Sequence, residues 1–192
     1  MEVTKETLND LLKETDEQVR IIQLIANDIV KAKTEDLDAL MTEIQEKIVI
    51  QDNPSDELLE RYFLELTNAL YFLNANCEFF GFYDDMSKTS AKMKYNEAYS
   101  ESQAKAAVDT SAKKNRTTVG DHVAYAEKAS LNETIVNQIY SRSFRIVKSK
   151  IEAAQEMVRT LSKLISSHAQ DKQLSMFGGV NQNKGGFKSN GQ

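Results

Sequence analysis

Apolar residues recur every three or four positions along most of this chain, which is the period of an α-helix. The spacing predicts a first amphipathic helix over residues 4 to about 31. A second helix is predicted to start at Thr34, which suits an N-cap because Glu35 and Asp36 follow in the first turn. The apolar positions behind these two predictions are Leu8, Leu11, Leu12, Val19, Ile22, Ile25 and Ile29, then Leu37, Leu40, Met41, Ile44 and Ile48.

A third helix is predicted to begin at the single proline of the chain. Asn53 can cap it, and Pro54 fits the first helical position because proline has no N–H to leave unsatisfied there. Its apolar seam alternates steps of three and four, as coiled-coil packing requires, and is expected to end near Gly81. The seam residues are Leu59, Tyr62 or Phe63, Leu66, Leu70, Leu73, Cys77 and Phe80.

Two further helices are predicted downstream. Residues 87 to about 111 are helical in pattern but poor in large apolar groups, so they cannot form a central core helix. Gly and β-branched residues over 115–121 predict a loop. Ser130 and Glu133 have the spacing of a capping box and predict the start of a long last helix. Its seam needs a partner helix or subunit and comprises Tyr140, Phe144, Val147, Ile151, Ala154, Val158, Leu161 and Ile165.

These elements predict an all-α fold, an elongated helical bundle of coiled-coil-like helices. Residues 1–52 form an acidic N-terminal helical region, and residues 53–173 a helical core with a basic C-terminal half. The Gly- and Asn-rich residues 174–192 are expected to be a disordered tail, because their apolar area is too small to offset the entropy of ordering.

Charge is distributed unevenly over the 192 residues, of which 41% are hydrophobic and 28% charged. Residues 1–86 carry 7 Lys/Arg and 20 Asp/Glu, a net charge of −13, whereas residues 87–192 carry 17 and 9, a net charge of +8. The basic half suits a phosphate-rich partner. The acidic half either contacts the basic half of the same or a neighbouring chain, or serves solubility.

Few residues suit catalysis or metal binding. Cys77 is expected to be a small core hydrophobe, and a single cysteine excludes an internal disulfide. Two histidines, His122 and His168, are too few for a His-rich metal site. We therefore expect no cofactor, no metal and no catalytic residue, so the chain is not predicted to be an enzyme. Without a signal-peptide pattern or a long apolar run, we expect a cytoplasmic protein.

Cations gather on one flank of the last helix. Arg142, Arg145 and Lys148 fall, with Arg159 and Lys163, within about a third of a turn beside the apolar seam. Such a stripe neutralises successive phosphates and releases their counterions, which gives affinity without base specificity. The alternative is a solvated face.

Cations and tyrosines also alternate upstream, where unpaired bases could stack on Tyr rings while Lys holds phosphate. Alternatively, these tyrosines pack onto a neighbouring helix. A basic cluster just before the predicted loop adds three more cations. The candidate nucleic-acid-binding residues are Lys88, Lys92, Lys94, Tyr95, Tyr99, Lys105, Lys113, Lys114, Arg116, Arg142, Arg145 and Lys148.

Residues 139–148 resemble a signature of the phage recombination mediator family typified by UvsY, an Ile-x-Ser-Arg-Gly-Phe-x-Ile segment. Ser143 stands where that family usually has Gly, and the residues 92–95 with Tyr99 are similar to its basic, tyrosine-containing helix. The resemblance covers roughly residues 55–160. The matching positions in the signature are Ile139, Ser141, Arg142, Phe144 and Ile146.

This resemblance implies a homo-oligomeric accessory protein that binds single-stranded DNA, in the host cell cytoplasm if the protein is phage-encoded. It would help a strand-exchange recombinase replace the single-stranded DNA-binding protein, and would assemble into a ring through its C-terminal helix. The N-terminal region, the longer last helix and the tail depart from the family, which leaves oligomer size and partners open. The alternative is a structural or scaffolding helical phage protein without nucleic-acid binding.

Overall fold

A computed structural model describes residues 5–49, 54–109 and 118–181, and within these residues the fold is all-α, as predicted, with no strand. None of the described helices is long and apolar enough to cross a membrane. The helices are α1 (Lys5–Ile44), which continues into a π-helical turn (Gln45–Val49), α2 (Asp56–Asp109), α3 (Val119–Ala129) and α4 (Leu131–Asn181).

The first two predicted helices form one continuous helix, so the predicted N-cap at Thr34 is wrong. Thr34 lies within α1 and is only 1% exposed. Val30 and Leu37 on either side of it are also buried, which keeps one face of α1 directed inward through this position. Packing of this continuous buried face stabilises the uninterrupted helix, and this stabilisation exceeds what a local cap at Thr34 would give to a separate helix.

The predicted end of the third helix at Gly81 is also wrong, because α2 continues to Asp109. A Cβ atom built on Gly81 would lie 3.4 Å from the Phe144 ring of α4. Glycine therefore permits a close approach of α4 here rather than ending α2. The predicted seam is confirmed at Leu59, Tyr62, Leu66, Leu70, Leu73 and Phe80, which are all buried, whereas Cys77 is only half-buried.

A capping box occurs twelve residues before the predicted one. The Thr118 N–H donates to the Asp121 carboxylate (2.7 Å), and the Asp121 N–H donates to the Thr118 hydroxyl (3.4 Å), which starts α3 inside the predicted loop. These hydrogen bonds from Thr118 lower the pKa of the Asp121 carboxyl. The earlier residues of that loop, 115–117, lie outside the described residues.

The last helix begins at Leu131, as predicted, but without the predicted capping box. The Ser130 hydroxyl donates backwards to the Ala126 carbonyl (2.9 Å) and closes α3. Glu133 Oε2 is buried and finds no hydrogen-bond partner among the described residues. Helix α4 extends to Asn181, so residues 174–181 of the predicted disordered tail are helical. The rest of the predicted tail, residues 182–192, lies outside the described residues.

The chain divides into two compact units, whose described residues fall within 1–35 and 73–150 (unit 1) and within 36–72 and 151–192 (unit 2). In unit 1, the Asn137 amide of α4 donates to the Asp84 carbonyl (3.2 Å) and to the Ser87 hydroxyl (3.1 Å) of α2. The core of unit 1 includes Ala26, Val30, Leu73, Phe80, Ala98, Ala126 and Val147.

The core of unit 2 includes Tyr62, which is fully buried and donates its hydroxyl hydrogen to the Glu43 carboxylate (2.7 Å). At the start of α2, Asp56 pairs with Lys172 and with His168 Nδ1 (2.7 Å) of α4. The other buried apolar residues of unit 2 are Leu37, Ile44, Ile48, Leu59, Leu66, Leu70, Ile151, Ala154 and Leu161.

Candidate nucleic-acid interface

The α4 cations Arg142, Arg145 and Lys148 are exposed. Their orientation follows from the helix itself, because Ser143 and Val147 in the same turns are fully buried. Among the described residues, none of these three cations forms an ion pair. Their charge is therefore available to a ligand without first breaking a contact to a described carboxylate.

Two of these cations line a groove of about 440 Å³ within unit 1, between α4 and the first half of α1. The lining combines apolar and amide side chains of α1 with amide, hydroxyl and guanidinium groups of α4, and it contains no carboxylate. The groove residues are Val19, Ile22, Gln23, Asn137, Gln138, Ser141, Arg142 and Arg145. Such a lining can contact an apolar or aromatic ring and an anion together.

The α2 lysines fall into two groups. Lys88 and Lys92 are exposed and have no ion pair among the described residues, whereas Lys94 pairs with Glu97 (3.0 Å) within the same helix. Lys105 pairs in the same way with Glu101 (2.7 Å). These hydrogen bonds to carboxylates raise the pKa of Lys94 and of Lys105. Exposed pairs of this kind contribute little to stability, so a phosphate can displace the carboxylate at small cost.

The two candidate tyrosines are half-buried. Tyr95 and Tyr99 stack with ring centroids 6.3 Å apart, and Tyr99 also meets the edge of His122 of α3 at 6.0 Å. His122 is buried and its Nδ1 lies 2.8 Å from the Ser102 hydroxyl oxygen. Tyr99 thus packs onto a neighbouring helix, the alternative weighed above, and only part of each ring remains accessible for base stacking.

Sequence reasoning missed Tyr125, an aromatic residue of α3. The residue is 40% exposed, and the Lys105 ammonium lies 5.4 Å from the centroid of its ring. A cation beside an exposed aromatic ring suits a single strand, because a base can stack on the ring while the cation holds a phosphate. No sequence signal pairs these residues, because they are on different helices. The remaining candidates Lys113, Lys114 and Arg116 lie outside the described residues.

The described residues offer little for redox or metal chemistry. Cys77 is half-buried, and burial raises the pKa of its thiol above the ordinary value. No group of three His, Cys, Asp or Glu side chains within the described ranges is arranged to hold a metal ion. Comparison of the chain with protein-family models, with curated proteins and with solved structures found no match.

Proposed function

We propose that this protein is an oligomeric accessory protein of recombination that binds single-stranded DNA and helps to load a strand-exchange recombinase. The observation that carries the proposal is the exposure of Arg142, Arg145 and Lys148 without an ion pair among the described residues. Two of them lie in the segment that resembles the recombination mediator signature, and the third ends it.

The α4 cations suit a phosphate backbone rather than a particular base. A helical rise of about 1.5 Å per residue separates successive cations at positions 142, 145 and 148 by about 4.5 Å along the axis. A flexible single strand can follow such a row, because its backbone adapts to the spacing. Exposed charges exchange phosphates readily, which suits a protein that holds a strand while another protein replaces it.

Salt dependence provides the quantitative expectation. Each phosphate of a single strand that a protein cation neutralises contributes about 0.7 to the magnitude of the slope of log affinity against log salt concentration. Removal of two α4 cations should therefore reduce the magnitude of that slope by about 1.4.

Fluorescence anisotropy with a labelled single-stranded oligonucleotide tests the proposal. The double variant Arg142→Ala/Arg145→Ala should bind more weakly at low salt and show the shallower slope. Lys31→Ala/Lys33→Ala is the matched control, because it removes the same charge from exposed positions of α1 that lie outside the candidate binding residues. Negligible binding by the unaltered protein at low salt, or equal losses in both double variants, would refute the proposal.

A structural or scaffolding role is the second candidate, and the exposed apolar side chains of α2 favour it. Phe79, Phe82 and Met93 are each more than half exposed, which is unusual unless such a face is covered by another chain. This candidate predicts ordered assemblies and no oligonucleotide binding. Light scattering with and without a short single strand distinguishes the two.

A further inference from the structure

Helix α2 carries a second apolar face that unit 1 does not cover. Phe79 is 64% exposed, Phe82 59%, Met86 55% and Met93 67%. The next residues after two of these, Phe80 and Ser87, are buried. The helix therefore has a packed side and a separate exposed apolar side; it is not simply exposed all round.

The exposed side chains follow a heptad repeat. Phe79, Met86 and Met93 are seven residues apart and occupy equivalent positions, which we term a. Phe82 and Thr89 occupy the intermediate d positions, at steps of three and four. This spacing keeps one stripe directed at a partner helix over the length of a coiled coil.

The size of the stripe is that of a functional patch. An aromatic side chain presents roughly 200 Å², so these four side chains, taken at similar size and 55–67% exposed, present about 500 Å². The largest apolar patch of a typical monomer is about 300–600 Å². A stable interface takes roughly 800 Å² from each partner, so the stripe provides more than half of that area and its flanking residues would have to provide the rest.

We propose that this face, residues 78–93 of α2, is the contact through which two copies of the chain associate as an antiparallel coiled coil. Charge along one edge supports a second copy as the occupant. Glu78, Asp85 and Lys92 are also seven residues apart, beside the stripe at the g positions. When two such edges run antiparallel about residue 85, Glu78 of each copy faces Lys92 of the other, which gives two opposite-charge pairs. The two Asp85 carboxylates lie at the rim beside the axis, where water and salt screen their repulsion.

Both members of these pairs are available. Neither Glu78 nor Lys92 forms an ion pair among the described residues. In a parallel arrangement Lys92 would instead face Glu97, which already pairs with Lys94 in its own helix. The antiparallel register also places Phe79 across from the smaller Thr89, and Phe82 across from Met86. Two carboxylates on this edge oppose phosphate, so a nucleic acid is not the expected occupant.

The proposal rests on the oligomeric part of the proposed function and not on its nucleic-acid-binding part. Helix α2, rather than the C-terminal helix implied by the family resemblance, provides the contact. A two-fold axis across α2 makes the interface self-complementary, because the same residues face each other from both copies.

Sedimentation equilibrium of the full chain tests the contact. Phe82→Glu/Met86→Glu should shift the mass to that of a smaller species, because it places carboxylates in the centre of the stripe. Both positions are exposed, so the helical circular dichroism of the variant should be unchanged. Val119→Glu/Leu131→Glu is the matched control. Both residues are apolar and exposed at the starts of helices, and the two substitutions add the same charge as Phe82→Glu/Met86→Glu.

A charge exchange tests the register. Glu78→Lys alone should weaken association at least tenfold, because two attractive pairs worth about 0.7 kcal/mol each are lost and replaced by repulsive ones. Adding Lys92→Glu should restore association in an antiparallel pair and weaken it further in a parallel pair, where the new carboxylate at position 92 would face Glu97. Failure of the second change to restore association overturns the antiparallel register.

Oligonucleotide anisotropy on the same variants separates this inference from the proposed function. An unaltered mass in Phe82→Glu/Met86→Glu, or a monomeric unaltered protein, overturns the inference whether or not DNA binds. Loss of DNA binding by that variant without a change in mass would identify the stripe as a nucleic-acid surface and would also overturn it. A normal oligomer that binds no oligonucleotide refutes the DNA-binding proposal alone.

Discussion

Gly81 provides the sharpest test of the packing in unit 1, because sequence and structure predict opposite effects for the same substitution. If Gly81 ended a helix in the left-handed conformation, its replacement by alanine would destabilise the protein, because alanine is strained in that conformation. In the structure, Gly81 lies inside α2, and a Cβ atom there would meet Phe144 ring atoms at 3.4, 3.7 and 3.9 Å. These are ordinary van der Waals distances, so the alanine methyl group fits.

The magnitude follows from helix propensity and packing. Gly81→Ala should raise the free energy of unfolding by about 0.5–1 kcal/mol, because alanine is the better helix former and restricts the unfolded chain. For a chain of this length the melting temperature should rise by about 2 °C. Gly81→Val should instead lower the free energy of unfolding by about 1–3 kcal/mol, because its γ-carbons must enter the space of the Phe144 ring.

Chemical denaturation followed by circular dichroism, at one protein concentration, measures both effects. Ser100→Ala, at an exposed position of α2 outside residues 78–93, reports the effect of helix propensity without a packing change. If Gly81→Ala destabilised the protein as much as Gly81→Val, the described contact between α2 and α4 would be incorrect.

Two further predictions concern helix starts. Thr118→Ala should destabilise the protein by about 1 kcal/mol, because it removes the N-cap of α3, and Thr118→Ser should retain stability in the same denaturation assay; equal stability of all three proteins would refute this role. The pKa of the Asp56 carboxyl is lowered, chiefly by Lys172 and then by His168, so its contribution to stability is present above the ordinary carboxyl pKa and lost as pH falls through the lowered value. Asp56→Asn should flatten this acid-side decline in stability measured from neutral to acidic pH, and an identical pH profile would contradict the pairing.

The helical period was readable from the sequence, but the helix ends were not. Tyr62, Leu66 and Phe80 are buried as their spacing predicts. Thr34 and Gly81 carry local signals for a helix start and a helix end, yet both lie inside continuous helices. A cap or a glycine is worth about 1 kcal/mol, whereas each large buried side chain contributes about 1.5–3 kcal/mol. Tertiary packing therefore overrides such signals.

The candidate interface divides in the same way. The exposure of Arg142 and Arg145 followed from their rotation away from the α4 seam, because the helix backbone fixes the angle between them. The contacts of Tyr99 with His122 and of Lys105 with Tyr125 did not follow, because each joins two helices. Periodicity states which face of a helix is apolar. Which helix covers that face, and which face stays open, depends on three-dimensional packing that the linear pattern does not encode.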